Sequence, residues 1–214
     1  MKVMAAAASA AARRFNDAFM GFVMSFVVPG YQINSDHPRW GVGMEQRRIQ
    51  SASARLRAEP LTALQFAPFG DVLRNDDGAT RRKFYPDATR TGDGAGELRF
   101  SVSRVEPVPE PLSIVRLERH PFAAQTFIPL EVSRWVVIVA PDLPDGSPDI
   151  ARLRAFIAAP GTGVSYRRGT WHHGTTVLDA TAQFGVVMWR RTTHDDDEFY
   201  DLETPIEIDV ARNI

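Results

Sequence analysis

The chain has 214 residues, 44% of them hydrophobic and 24% charged, with a formal charge of −1. Its 13 Phe, 4 Trp and 4 Tyr supply enough apolar bulk for one main core, which excludes a wholly disordered chain, and the neutral balance offers no basic field for nucleic acid. The absence of cysteine excludes disulfides, thiolate nucleophiles, iron–sulfur clusters and thiolate zinc sites, and it suits a reducing compartment.

Residues 1–58 differ in composition from the rest. Ala5–Ala12 is almost pure alanine, Arg13 and Arg14 follow, and Phe19 to Val28 is apolar. That run is too short for a bilayer span, which needs ~20 residues. Charge ahead of a short apolar stretch has the order of a secretory signal, but no small-x-small cleavage site follows it. The stretch reads as a poorly ordered N-terminal extension, or as a start placed too early with Met44 or a nearby residue as the working one.

Residues 59–214 read as a single domain. Leu61–Phe66 predicts a short helix ahead of Pro68, and Ile150–Leu153 a single turn. Runs rich in Val, Ile, Phe and Trp predict strands at Gly96–Arg104, Leu112–Glu118, Ala124–Ile128 and Arg134–Ala140. Further strands are predicted at Ala155–Ala158, Gly163–Tyr166, Thr175–Asp179 and Gln183–Arg190. Pro and Gly separate them at Asp93-Gly94, Pro107 to Pro111, Pro141 to Pro148 and Pro160-Gly161. Many short strands with regular turns predict a mainly all-β protein, a jelly-roll barrel with a few short helices.

Two segments concentrate the chemistry. The first is Glu118-Arg119-His120-Pro121, followed by Gln125. Residues two apart on a strand share a face, so Glu118 and His120 point together and Arg119 points away. The second is Tyr166-Arg167-Arg168-Gly169-Thr170-Trp171-His172-His173. Two adjacent histidines cannot both face one cavity, so His172 and His173 remain alternatives. Trp171 reads equally as core or as a pocket wall, and Asp195–Glu198 as a solvated acidic turn. A carboxylate beside imidazoles is costly to bury without a task. No phosphate-binding loop, dinucleotide fingerprint or serine-hydrolase elbow is present, so no nucleotide cofactor is expected.

At these residues the chain resembles the ureidoglycolate lyase family. The likeness runs from about Pro60 to Ile208 and includes Phe66-Ala67-Pro68-Phe69-Gly70-Asp71-Val72, Glu118-Arg119-His120-Pro121, Gln125-Thr126-Phe127-Ile128-Pro129 and Gly169-Thr170-Trp171-His172-His173. The resemblance implies a cupin-type double-stranded β-helix and a cytoplasmic homodimer without nucleic-acid or membrane partners. The implied reaction cleaves (S)-ureidoglycolate to glyoxylate and urea in allantoin catabolism. Glu118, His120 and Gln125 also resemble the first cupin ligand motif, and the stretch ending at His172 resembles that of the last ligand. The set Glu118, His120, Gln125 and His172, with His173 as alternative to His172, implies a stimulatory divalent metal: nickel, manganese, iron or zinc. Two departures stand out: Arg167 where the family usually has His, and Met188-Trp189-Arg190 where it often has Asp before Arg.

For such a reaction His120 or His172 is the expected base. Glu118, raised in pKa by burial, is the expected acid, or it orients His120. Arg168 is expected to bind the substrate carboxylate, Gln125 the ureido group, and Tyr166 and Trp171 to line the pocket. Two rival readings are a cupin enzyme acting on another small hydroxy- or keto-acid and a cupin that binds a small molecule without turnover.

Overall fold

A computed structural model describes residues 55–75, 80–92, 96–191 and 196–210. The N-terminal extension, up to residue 54, lies outside the described residues. Thirteen strands, one α-helix and one 3-10 turn follow in order. They begin with β1 (Arg55–Arg57), β2 (Glu59–Pro60), α1 (Ala63–Phe66), β3 (Gly70–Leu73), β4 (Gly96–Val105) and β5 (Leu112–Arg119). Next come β6 (Gln125–Glu131), β7 (Trp135–Ala140), the 3-10 turn (Ile150–Arg152), β8 (Arg154–Ala158) and β9 (Gly163–Tyr166). The last are β10 (Trp171–His172), β11 (Thr176–Val177), β12 (Ala182–Arg191) and β13 (Glu198–Asp209).

The strands form two sheets. One has the order β3-β9-β6-β12-β4, the other β1-β13-β5-β10-β7-β8-β2, with β11 added on β7. Setting the flanking strands aside leaves β4-β12-β6-β9 facing β5-β10-β7-β8. Eight strands that alternate between two four-stranded sheets in this order make a jelly roll. The mainly all-β jelly-roll barrel expected from the strand pattern, of the cupin type that the resemblance implies, is therefore the fold.

The larger sheet also curls on itself. Residues 55–60 pair along β13 through β1 and along β8 through β2, both in parallel. Residues 55–58, within the stretch assigned to the extension, thus bring the two ends of that sheet together.

This curling creates two apolar interiors. Between the sheets lie Phe66, Phe127, Trp135, Val137, Val139, Phe156, Val164, Tyr166 and Phe184. Inside the curled sheet lie Leu112, Ile114, Leu117, Val136, Ile138, Ala140, Trp171, Ile206 and Ile208. Strand β7 feeds both, its odd residues into the first and its even residues into the second. All six of its residues are buried. A strand buried on both faces carries a continuous apolar run rather than an alternating one, and Trp-Val-Val-Ile-Val-Ala does so.

Strand β13 was not expected. Its Phe-Tyr-Asp-Leu-Glu-Thr-Pro run carries acids and a proline that argue against a strand, yet it pairs with β5 and buries Ile206 and Ile208. Between Asp201 and Ile206 the register slips. That irregularity takes up Pro205, whose missing N–H would otherwise interrupt the ladder.

Candidate active site

The cluster sits between the two sheets, at the end of the first interior. His172 on β10 and Glu118 on β5 are cross-strand partners in one sheet. Across from them, Gln125 on β6 stands opposite Tyr166 on β9 and Met188 on β12. His120 follows directly after β5. Its carbonyl accepts from the Gly169 N–H at 2.9 Å. Gly169 has φ +79, and its turn, closed by Thr170 N–H on the Arg167 carbonyl, needs that left-handed residue to reach back to His120.

Ligand-type atoms of Glu118, His120 and His172 all lie within 4.8 Å of one another. The two imidazoles are 5.3 Å apart, and the Tyr166 ring stacks on His172 at 4.2 Å and 16°. His120 and His172 are almost fully buried. His172 Nδ1 lies 2.8 Å from the Thr170 carbonyl, to which only a protonated Nδ1 can donate. Its Nε2 therefore faces the cup, 3.1 Å from Gln125 Oε1 and 3.5 Å from Glu118 Oε1. That arrangement is attractive when the ring is an imidazolium, or when the Gln125 amide turns its NH₂ toward a neutral ring. His120 Nδ1 lies 2.8 Å from Asp197 Oδ1. The contact is bent away from regular hydrogen-bond geometry, so both ring nitrogens of His120 are buried without a hydrogen-bond partner. Histidines that hold metals usually commit the second nitrogen to a carboxylate or a carbonyl, as His172 does to the Thr170 carbonyl.

Burial alone would raise the Glu118 carboxyl, but the His172 hydrogen bond and the two imidazoles outweigh it and hold its pKa below 4.5. The expectation of a raised Glu118 is corrected: desolvation acts as foreseen, and the neighbouring positive charge exceeds it. Burial and then the Glu118 charge push the Tyr166 phenol far above the usual tyrosine range, so it stays neutral. Asp197 is held well below ordinary carboxylates, first by His120 and also by Arg190, whose Nη1 pairs with it.

Most of the expected site residues converge. Glu118, His120, Gln125, Tyr166 and His172 share the cup. Arg168 is exposed on the turn between β9 and β10, where its guanidinium crowds Gly92: a Cβ on Gly92 would stand 2.6 Å from Arg168 Nη1. With Asp87, Arg90 and Arg167 it lines a cleft of about 270 Å³. Trp171 needs correction. It precedes His172 on the same strand, so it faces the opposite way and packs in the second interior, under the Arg119 guanidinium and 6.1 Å from Tyr200. His173, the alternative ligand, also turns away, its Nδ1–H donating to the Arg116 carbonyl at 2.9 Å, and burial lowers its pKa. Arg119 points out of the cup as its position predicts and pairs with Glu198.

The reading of Asp195–Glu198 as a solvated turn is corrected for two of its members. Asp196 is buried and accepts the Phe122 N–H at 2.8 and 2.9 Å. Asp197 faces His120. Acidic runs on turns are normally hydrated, and only the return of β13 beside β5 carries this one under the cup. Its sole local hint was Arg190, a cation close enough in sequence to pair with it.

The family model described as ureidoglycolate lyase matches residues 53–209. Ureidoglycolate lyase of Burkholderia cepacia is 41% identical over 64% of this chain and 81% of its own length. That of Brucella anthropi is 37% identical, covering 72% of this chain and 94% of the relative. A third, from Pseudomonas syringae pv. syringae, is 35% identical over 71% and 93%. Among solved structures, the sugar-nucleotide epimerase RmlC of Legionella pneumophila matches 65% of this chain and 69% of its own, at 16% identity and a TM-score of 0.34. With the matched region spanning the whole described barrel and its cup, the chain belongs to the ureidoglycolate lyase family.

Proposed function

We propose that the protein cleaves (S)-ureidoglycolate to glyoxylate and urea, as an amidine-type carbon–nitrogen lyase in allantoin catabolism. One observation supports this reading: two buried imidazoles and a carboxylate held below its ordinary pKa bring ligand-type atoms within 4.8 Å of one another. The substrate carbon bears a hydroxyl, a ureido nitrogen, a hydrogen and a carboxylate. Cleavage requires a proton off the hydroxyl and a proton onto the nitrogen.

His120 Nε2, with no partner at rest, takes the hydroxyl proton. The O–H electron pair becomes the second bond of the aldehyde. The carbon–nitrogen bond breaks, and its pair stays on nitrogen. His172, as an imidazolium, gives that nitrogen its Nε2 proton, and urea leaves. Transfer of the proton from His120 back to His172 through solvent restores the starting state. Each positioned transfer contributes ~10²–10⁴-fold. Glu118 serves as a counter-charge 3.5 Å from His172 Nε2, rather than as the acid. Gln125 offers the ureido group both a donor and an acceptor. Arg168 supplies a fork for the substrate carboxylate.

The same side chains suit a divalent cation. The buried, unpartnered His120 Nε2, the His172 Nε2 and the Glu118 carboxylate form a two-imidazole, one-carboxylate set, with Gln125 beside it. Bound there, nickel, manganese, iron or zinc would supply Lewis acidity toward the substrate hydroxyl and carboxylate.

A cytoplasmic homodimer completes the proposal. The outer face of the smaller sheet exposes Leu98, Phe100, Val102, Ile128 and Leu130, apolar surface that pairing would cover. The absence of cysteine is compatible with the cytoplasm. Among the described residues no helix is long and apolar enough to cross a membrane.

The test is product analysis. Purified protein given (S)-ureidoglycolate should release glyoxylate and urea in equal amounts, without ammonia. Ammonia in place of urea would overturn the reading in favour of amide hydrolysis.

A further inference from the structure

We infer that Thr170 is a positioning residue for the cup: its hydroxyl pins the turn of residues 167–170 to the Phe69 carbonyl, and that turn sets where the His120 and His172 rings stand. The inference rests on the proposed roles of the two rings only for its effect on turnover.

The turn touches both imidazoles. Gly169 N–H donates to the His120 carbonyl at 2.9 Å, and the Thr170 carbonyl lies 2.8 Å from His172 Nδ1. A displaced turn therefore moves one histidine through its backbone and the other through its ring. One internal bond closes the turn, from Thr170 N–H to the Arg167 carbonyl at 3.1 Å. Arg167, its first residue, is tied to the loop between α1 and β3 by its N–H on the Phe69 carbonyl at 2.9 Å and by its guanidinium on the Pro68 carbonyl at 3.3 Å. At the far end, beside His172, the tie to that loop is the Thr170 hydroxyl, which donates to the same Phe69 carbonyl at 3.0 Å. A carbonyl oxygen has two lone pairs and takes both donors.

Phe69 is a firm anchor. Its ring is buried 6.1 Å from that of Phe66, and its N–H donates to the Phe66 carbonyl at 2.8 Å. Directly after it, β3 presses against β9, where a Cβ on Gly70 would stand 1.9 Å from the Ser165 carbonyl oxygen. The anchor has little room to follow a moving turn.

Thr170→Val keeps the branched shape and removes the donor. A methyl group cannot take the hydroxyl's place, because carbon–oxygen contacts run at about 3.3 Å or more and the hydroxyl stands at 3.0 Å. The turn must back away from Phe69 and carry the Thr170 carbonyl with it. Reacting groups displaced by less than an ångström lose much of their effect.

The experiment uses the full chain, freed of metal with chelator and without substrate, at one fixed alkaline pH. The His172 ring lies nearly flat on that of Tyr166, at 4.2 Å and 16°, so its carbon-bound ring protons resonate upfield of those of an exposed histidine. Loss of these signals in His172→Gln assigns them. The upfield shift should be full in the wild type and in Thr170→Ser, and smaller in Thr170→Val by well more than a linewidth. With ureidoglycolate, kcat of Thr170→Val should fall ~10-fold or more, KM should change by less than about threefold, and Thr170→Ser should recover most of the loss. His172 signals unmoved in Thr170→Val, or displaced equally in Thr170→Ser, would overturn the inference. Should Thr170→Val fail to fold, Thr170→Ala removes the hydroxyl without setting a methyl against Phe69, and the same outcomes decide. Because ring position is read without substrate, a wild type that does not cleave ureidoglycolate would overturn the proposed function and leave this result standing.

Discussion

The two interiors share strands β5, β7 and β10, yet only one of them carries chemistry. Leu117 and Trp171 turn into the curled sheet, while their neighbours Glu118 and His172 turn into the cup. The curled sheet's interior packs Leu, Ile, Val, Ala and Trp side chains and closes with residues 55–60. The cup's interior begins with Phe and Val and ends in imidazoles, a carboxylate and an amide. Period-two alternation thus lets one strand be scaffold on one face and reagent on the other. The second interior supplies rigidity: with β7 buried on both faces, the backbone beneath His172 has little freedom to shift.

That contrast predicts separable effects. The largest belongs to the scaffold. Ile138, 1% exposed in the curled sheet's interior, should lose about 2–5 kcal/mol of unfolding free energy as Ile138→Ala, by denaturant titration. Its turnover number, measured well below the transition, should stay near that of the wild type. A large fall in turnover at unchanged stability would erase the distinction between the interiors.

His120→Ala reverses the pattern. Removing a base costs ~10²-fold or more in kcat/KM for ureidoglycolate, about 2.7 kcal/mol of transition-state stabilisation. The thermal unfolding midpoint should change little, because the ring leaves with its own unsatisfied Nε2.

A smaller effect concerns acid. Glu118 has a folded pKa below its ordinary 4.5, owing to the imidazoles that overcome its burial. A carboxyl lowered on folding adds stability that is complete above the ordinary value and is lost as pH falls through the folded one. The unfolding midpoint should therefore decline below pH 4.5, and Glu118→Gln should make that decline shallower. An equally steep acid limb in Glu118→Gln would show that the carboxylate is not held by the imidazoles.

Much of the barrel was legible in the sequence, because β4 to β9 and β12 carry Val, Ile, Phe and Trp between proline and glycine turns. The pairing of Glu118 with His120 also followed from spacing. What escaped notice depends on partners distant in sequence. β13 reads as acidic coil until β5 lies beside it. Trp171 and His172 look alike as buried aromatic residues until pairing with Val139 and Glu118 decides which faces the cup. Asp196 and Asp197 look hydrated, and their burial depends on where the chain returns after β12. Local pattern shows which residues are apolar and which alternate, but it does not reveal what a turn delivers to a site.

The most direct measurement compares two adjacent histidines. kcat/KM for glyoxylate release should fall ~10²-fold or more in His172→Ala and stay within about threefold in His173→Ala. The reverse order, or equal losses, would contradict the placement of His172 alone within the catalytic cup.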